Sequence, residues 1–255
     1  MKISVIGCGY LGAVHASSLA KLGHEVVGID IDQVKVDSLA SAHAPFYEPG
    51  LPELLAETLA AGTLEFTTDM SRAQGATVHF IAVGTPQQED SNAADLRFVE
   101  AALDAIVPYL TPGDVVVGKS TVPVGTAERL AVQIEAVGAQ LAWNPEFLRE
   151  GYAVKDTISP DRLVYGVRSG DEHSVALLDE VYASVLAQGI PRVITDFATA
   201  ELVKVAANAF LATKISFINA MAEVAEVTGA DVTQLADAIG YDQRIGRRFL
   251  NAGLG

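Results

Sequence analysis

Short runs of β-branched and apolar residues alternate with stretches of helical periodicity from the first residue to about position 195. Runs at 2–6, 25–30, 77–83, 114–118, 140–143, 162–167 and 192–194 predict strands, with 64–67 as a weaker one. Apolar positions spaced by three and four predict helices over 10–22, 33–41, 51–60, 95–110, 125–137 and 172–186. Strands that are apolar along their whole length are covered on both faces. Strand–helix alternation therefore predicts an α/β fold with a doubly wound, mostly parallel sheet, in a domain over 1–195. Ligands of such sheets bind beyond the carboxyl ends of the strands.

The pattern changes after residue 195. From 196 to 228 no strong breaker occurs. Leu202, Val205, Ala209, Thr213, Phe217, Ala220 and Val224 form one small or apolar face, and Val203, Ala207, Leu211, Ile218 and Ala222 form another. A helix apolar on two sides predicts burial on two sides. This predicts a long central helix that joins two domains or packs against a second subunit. Gly229 is its stop, and Asp231 caps a second helix running to Gly240. The expectation is a small helical dimerisation region over 196–255, cut short, in a homodimer.

Composition narrows the function classes. Half of the 255 residues are hydrophobic, and the formal net charge is -15. Lys and Arg do not cluster, which argues against nucleic acid or an anionic membrane as partner. No uncharged apolar stretch reaches the about 18 residues that a membrane span needs. Lys2 and the apolar run after it resemble a secretion signal, but Gly7, Gly9 and Gly12 interrupt it and a helix follows directly. Cys8 is the one cysteine, which suits a reducing cytoplasm. The five histidines show no metal-ligand spacing, so no metal is expected.

Gly7-Cys8-Gly9-Tyr10-Leu11-Gly12 follows a strand and opens a helix. In that context the first glycine permits the tight turn, the second lets backbone approach a pyrophosphate, and the third allows close helix–strand packing. Free N–H groups and the helix dipole favour the anion. Asp30 closes the next strand, where a carboxylate suits a ribose 2′-hydroxyl and repels a 2′-phosphate. The domain is therefore read as Rossmann-like, with NAD favoured over NADP. Lys35, one turn into the next helix, could reach the adenosine side. Cys8 reads as a small packed loop residue rather than a nucleophile.

Three further segments carry candidate chemistry. Lys119-Ser120-Thr121-Val122-Pro123-Val124-Gly125-Thr126 and Asn144-Pro145-Glu146-Phe147-Leu148-Arg149-Glu150-Gly151 each follow a strand, and a proline stiffens each. Thr121 offers a hydroxyl. Glu146 offers a carboxylate for general base work or for placing a water, or else merely favours a helix start. Glu150, four residues on, shares a face with Glu146 if a helix begins there. Lys204 and Asn208 leave one face of the long helix and suit a developing oxyanion; the bland reading is a Lys extended to solvent beside a locally bonded Asn.

Together with the glycine turn, these segments resemble the UDP-glucose/GDP-mannose dehydrogenase family over the whole chain. The resemblance implies oxidation of a sugar C6 alcohol to a carboxylate with two NAD molecules in succession, through an aldehyde and a thioester on a cysteine. It implies UDP-glucose or a related nucleotide sugar as substrate. It puts Thr85 in a cofactor-contacting loop and Glu150 near the nicotinamide. Glu146 to Glu150 (with Phe147, Leu148 and Arg149) fall on the substrate side. Lys204 and Asn208 stabilise oxyanions, while Glu146 and Thr121 position water. Arg244, in Asp242-Gln243-Arg244-Ile245-Gly246, reaches a neighbouring subunit's substrate site. The family's cysteine lies in a Gly-Phe-Gly-Gly-x-Cys segment, and this sequence stops at Gly253-Leu254-Gly255 as that segment begins. The expectation is a fragment that is inactive alone. Asn251 departs from the lysine that several members carry near the substrate. Competing readings are a GDP-mannose dehydrogenase, a β-hydroxyacid dehydrogenase and a bare NAD-binding dimer module.

Overall fold

The structure is a computed structural model and describes residues 1–254. Strands β1 (Lys2–Ile6), β2 (Glu25–Ile29), β4 (Val78–Ile81), β5 (Val115–Gly118), β6 (Gln140–Trp143) and β7 (Leu163–Gly166) are buried along almost their whole length. That continuous burial belongs to strands with helices on both faces. The two edge strands differ. β3 (Leu64–Thr67) alternates between buried and half-buried positions, and β8 (Arg192–Thr195) is largely exposed.

The strand order is β3-β2-β1-β4-β5-β6-β7-β8. All pairs are parallel except β6 with β7, which meet antiparallel through Trp143 and Gly166. The chain runs outward from β1 through β2 to β3, then returns to lay β4 on the other side of β1. This reversal opens a crevice at the carboxyl ends of β1 and β4, where open α/β sheets bind ligands. Helices α1 (Tyr10–Lys21), α2 (Gln33–Ala40), α3 (Leu51–Ala60), α4 (Arg97–Ile106) and α5 (Thr126–Glu135) make the crossovers. Asp32 caps α2 by accepting from the N–H groups of Val34 and Lys35. The core joins Ile3, Val5, Leu19, Phe80, Val117 and Tyr165. Each such side chain contributes roughly 1.5–3 kcal/mol by leaving water.

Two expected helices change shape. The segment 95–110 becomes α4 followed by a 3-10 turn at Val107–Tyr109, where Pro108 removes a helical donor. The segment 172–186 divides into α7 (Glu172–Val181) and α8 (Ala183–Leu186). The break falls at Tyr182, whose hydroxyl is spent on Asn144. A short α6 (Ala153–Ile158), absent from the periodicity, precedes β7.

The chain forms two compact units, Met1–Leu202 and the part from Val203 onward, divided inside α9 (Phe197–Thr228). The second unit contains most of α9 and α10 (Val232–Gly240), which Asp231 caps. Its own small core joins Ile218, Ala236 and Leu250. The Lys214 ammonium donates to the carbonyls of Ile245 and Gly246, at 2.9 and 3.3 Å.

Among the described residues, burial of α9 on two sides is not found. Phe210, Phe217, Val224 and Val227 are all exposed. Among the described residues α9 is also long and apolar enough to cross a membrane by length and composition, its most apolar 18-residue stretch having a mean hydropathy of 1.3. Length and composition therefore do not separate it from a membrane span as the sequence reading expected.

Candidate functional site

At the end of β1 the chain turns sharply. Gly7 has φ +90°, and its N–H donates to the Ile29 carbonyl at 2.8 Å. A Cβ on Gly12 would lie 1.7 Å from the Gly7 carbonyl oxygen, so no side chain fits there. At Gly9, by contrast, a Cβ would meet nothing within 4 Å. Gly9 caps α1 without a side-chain hydrogen bond, so it leaves the first-turn N–H groups without a cap of its own. A pyrophosphate fits this cradle: it is open, free of Cβ atoms and lined by donors. Tyr10 and Leu11, in that first turn, are half-buried.

Asp30 completes the cradle from β2. Its carboxylate accepts from the Cys8 N–H at 2.7 Å and the Asp32 N–H at 3.0 Å. The Lys35 ammonium lies 3.1 and 3.0 Å from its two oxygens. Lys35 thus rests on Asp30, at the same end of β2. The Cys8 thiol is fully buried; burial and the Asp30 charge push its pKa far above the ordinary thiol range. A buried thiol held protonated is a poor nucleophile.

Two loops beyond β4 and β5 are tied together. Thr85 donates its hydroxyl to the Thr121 carbonyl and Ser120 donates to the Val83 carbonyl, both at 2.7 Å. Thr121 is half-buried at the end of the second loop. Glu201, at the start of α9, accepts from the N–H groups of Gly125 and Ala127, each at 2.7 Å. It is 2% exposed, and burial raises its pKa against those hydrogen bonds.

Beyond β6, Asn144 is a buried hub. Its side-chain oxygen accepts from Lys119 at 3.0 Å and Tyr182 at 2.7 Å, and its amide donates to the Val164 carbonyl at 2.9 Å. Lys119 and His15 are buried beside it, lining a cavity of about 50 Å³ with Glu146 and Phe147. Burial, then the Lys119 charge, holds His15 well below the ordinary imidazole range, so it stays neutral.

The segment from Asn144 to Glu150 is irregular, not helical, so Glu146 and Glu150 do not share a helix face. Its N–H groups are spent on side chains instead: Leu148 donates to the Glu146 carboxylate at 2.6 Å, and Arg149 to Asp156 at 3.0 Å. The Arg149 guanidinium also binds Asp156 through two bonds of 2.8 and 2.6 Å. Phe147 lies under the Arg162 guanidinium, 3.8 Å from the ring centroid. Glu150 is exposed.

On α9, Lys204 is buried and Asn208, one turn later, is exposed. Arg244 is paired with Asp242 through bonds of 2.6 and 3.0 Å. Among the described residues no group of three His, Cys, Asp or Glu is placed to hold a metal ion. One arrangement imitates a hydrolase triad: Ser4 Oγ lies 2.7 Å from His79 Nδ1, and His79 Nε2 lies 3.6 Å from Asp114. All three are buried inside the sheet, where no substrate reaches the hydroxyl.

Sequence reasoning missed Glu48, Asn144, Asp156, Arg162 and Glu201 as organisers of the site. A buried acid in an apolar stretch was a signal for Glu201; the other four find their partners only through tertiary structure.

Residues 1–186 match the profile of the NAD binding domain of the UDP-glucose/GDP-mannose dehydrogenase family, and residues 198–255 match its central domain. A UDP-glucose 6-dehydrogenase of Rhizobium meliloti is 45% identical over 260 residues, covering 100% of this chain and 60% of the relative. A UDP-glucose dehydrogenase structure from Pyrobaculum islandicum matches with a TM-score of 0.91 at 42% identity, covering 100% of this chain and 60% of that one. A GDP-mannose dehydrogenase ternary complex from Pseudomonas aeruginosa matches with a TM-score of 0.90 at 33% identity, again over 100% and 60%. The chain spans 60% or less of the length of such curated relatives, and 29% of a longer uncharacterized one from Methanocaldococcus jannaschii. Two successive domains of one family account for nearly all of it, and the glycine turn and Asp30 lie in the first: the chain belongs to the UDP-glucose/GDP-mannose dehydrogenase family, with NAD as its cofactor.

Proposed function

We propose that these residues form the NAD-binding and central part of an enzyme that oxidises the C6 alcohol of UDP-glucose to a carboxylate. The observation that carries this reading is the open glycine cradle at the sheet's reversal point, with Asp30 beside it and an acidic loop beyond β6. NAD, when bound, accepts hydride. Gly7, Gly9, Tyr10, Leu11 and Gly12 hold its pyrophosphate, and Asp30 with Lys35 its adenosine ribose. Thr85, Thr121 and Glu150 line the nicotinamide side. Glu146 takes a proton or places a water. Phe147, Leu148 and Arg149 shape the sugar side, where the clamp of Arg149 on Asp156 keeps the loop in one form. Lys204 and Asn208 stabilise negative charge on the substrate oxygen.

We also propose that α9 builds a homodimer and that Arg244 serves a neighbouring copy's site. The cytoplasm, where a lone thiol stays reduced, is the proposed location. The relative named for GDP-mannose is less similar than the one named for UDP-glucose, which favours the UDP-sugar.

The test joins residues 1–255 to the part of the Rhizobium meliloti enzyme that this chain does not match. NADH formation is then followed by absorbance with NAD and UDP-glucose. Turnover is expected, and Glu146→Gln or Lys204→Ala should lower it by about a hundredfold or more. Undiminished turnover in both variants would remove those two roles.

A further inference from the structure

Glu48 stands between α2 and α3, outside every segment with expected chemistry. Yet it is 3% exposed, rare for a carboxylate, and its oxygens collect donors from two distant segments. The Tyr10 hydroxyl donates to Oε2 from the first turn of α1. The Gly151 N–H donates to the same oxygen at 2.9 Å, and the Val154 N–H reaches Oε1 at 3.4 Å. Phe46, two residues before Glu48, packs edge-on against the Tyr10 ring with centroids 5.0 Å apart. One loop therefore holds both the ring and the hydroxyl of Tyr10. Gly151 follows Glu150 directly, and Val154 lies in the first turn of α6, which has no side-chain cap of its own.

Resting on the reading of this site as an NAD site, we propose that Glu48 is a positioning residue that clamps the pyrophosphate turn to the acidic loop. Through Tyr10 it touches the helix that receives the phosphates. Through Gly151 it fixes the end of the segment that carries Glu146 and Glu150. A carboxylate is the group that suits this place, because the Tyr10 hydroxyl and the Gly151 and Val154 N–H groups are all donors and an ionised carboxylate only accepts. Glutamine keeps the shape but turns an NH₂ toward donors. Burial, together with the bond to Glu48, pushes the Tyr10 phenol well above its ordinary pKa, so it remains a donor.

The experiment uses the 255-residue chain with Glu48→Gln, Tyr10→Phe and the double variant, which are near-isosteric and keep the test alive where Glu48→Ala does not fold. Amide hydrogen exchange is measured without cofactor, and NAD affinity by calorimetry. Each single variant should speed exchange at 148–154 and leave β1 and β5 protected. Each should weaken NAD by roughly three- to tenfold, the loss of one charge-assisted hydrogen bond in a partly compensated site. The double variant should be no worse than Glu48→Gln. A lowered melting temperature with unchanged NAD affinity would mean a structural role only and overturn the proposal. So would Tyr10→Phe leaving 148–154 untouched, or losses that add. Absence of NAD binding by the unsubstituted chain would sink the NAD reading instead, while the exchange data would still decide for or against the clamp.

Discussion

Asp30 carries two tasks on one carboxylate, and the second was not visible in the sequence. It is an acceptor at the end of β2, where a ribose hydroxyl would bind, and it is also the counterion that holds Lys35 down. Asp30→Ala should weaken NAD by about tenfold, the worth of a hydrogen bond to a charged group. It should weaken NADP less, because the released Lys35 ammonium suits a 2′-phosphate. Calorimetry with both cofactors checks this, and equal losses would remove Asp30 as the discriminator. The glycines give a sharper pair. Gly12→Ala drives a Cβ onto the Gly7 carbonyl and should lower thermal stability and NAD binding together. Gly9→Ala meets open space on an ordinary φ of -67° and should fold normally, yet lose binding, because the methyl occupies the pyrophosphate's place. Equal melting temperatures for the two would contradict this. The glycine roles were legible because spacing in one turn defines them. Asn144 was not, because its partners Lys119, Tyr182 and Val164 lie 20 to 38 residues away.

The inner strands were legible as elements because each is a short, mostly apolar run, from which burial on both faces follows; the edge strands β3 and β8 are not buried in that way. The acidic loop was not. Glu146 and Glu150 have helical spacing, but the local N–H groups found side-chain acceptors first, and a helix needs those donors. Asp156 is the acceptor that matters most. Burial alone would raise its carboxyl pKa, but the hydrogen bonds and charge of Arg149 more than offset this and hold it below the ordinary value. A depressed carboxyl contributes stability that is present above its unfolded pKa, about 3.9, and lost as pH falls through the lower folded value. The loop should therefore keep its form at pH 5 and loosen only below about pH 4. Trp143, the single tryptophan, stands where β6 enters this loop, so its fluorescence reports the change. A transition centred above about pH 4.5 would show that Arg149 does not hold Asp156 in solution. Helix α9 is legible in its extent, because no strong breaker interrupts it, but the described residues do not cover its apolar faces.

At the scale of the molecule, those uncovered faces and the one buried thiol decide what 255 residues can do. Exposed Phe210, Phe217 and Val224 on one helix are an apolar stripe of the kind that marks an interface. Light scattering at micromolar concentration should give a dimer, and Phe217→Asp should shift it toward monomer; a monomeric unsubstituted chain would refute that assembly. Activity is a separate matter. In the proposed reaction, oxidation to a carboxylate passes through an aldehyde, and the family resemblance implies that a cysteine thiolate captures it before the second hydride leaves. Cys8 is the only thiol in these residues. It is fully buried, its pKa is far too high for a thiolate, and its backbone N–H is committed to Asp30 beside the pyrophosphate cradle. Binding energy from the remote nucleotide half of a substrate normally orients its reacting carbon, and these residues match 60% of the length of the Rhizobium meliloti enzyme. The polypeptide of residues 1–255 should therefore bind NAD yet form no measurable NADH from UDP-glucose, while its fusion to the unmatched part of that relative turns over. Cys8→Ser should leave the fusion's rate unchanged within about twofold, since a packed, protonated thiol contributes only volume there. Comparable turnover by the chain alone and by the fusion, or loss of turnover in Cys8→Ser, would place the chemistry elsewhere in this fold.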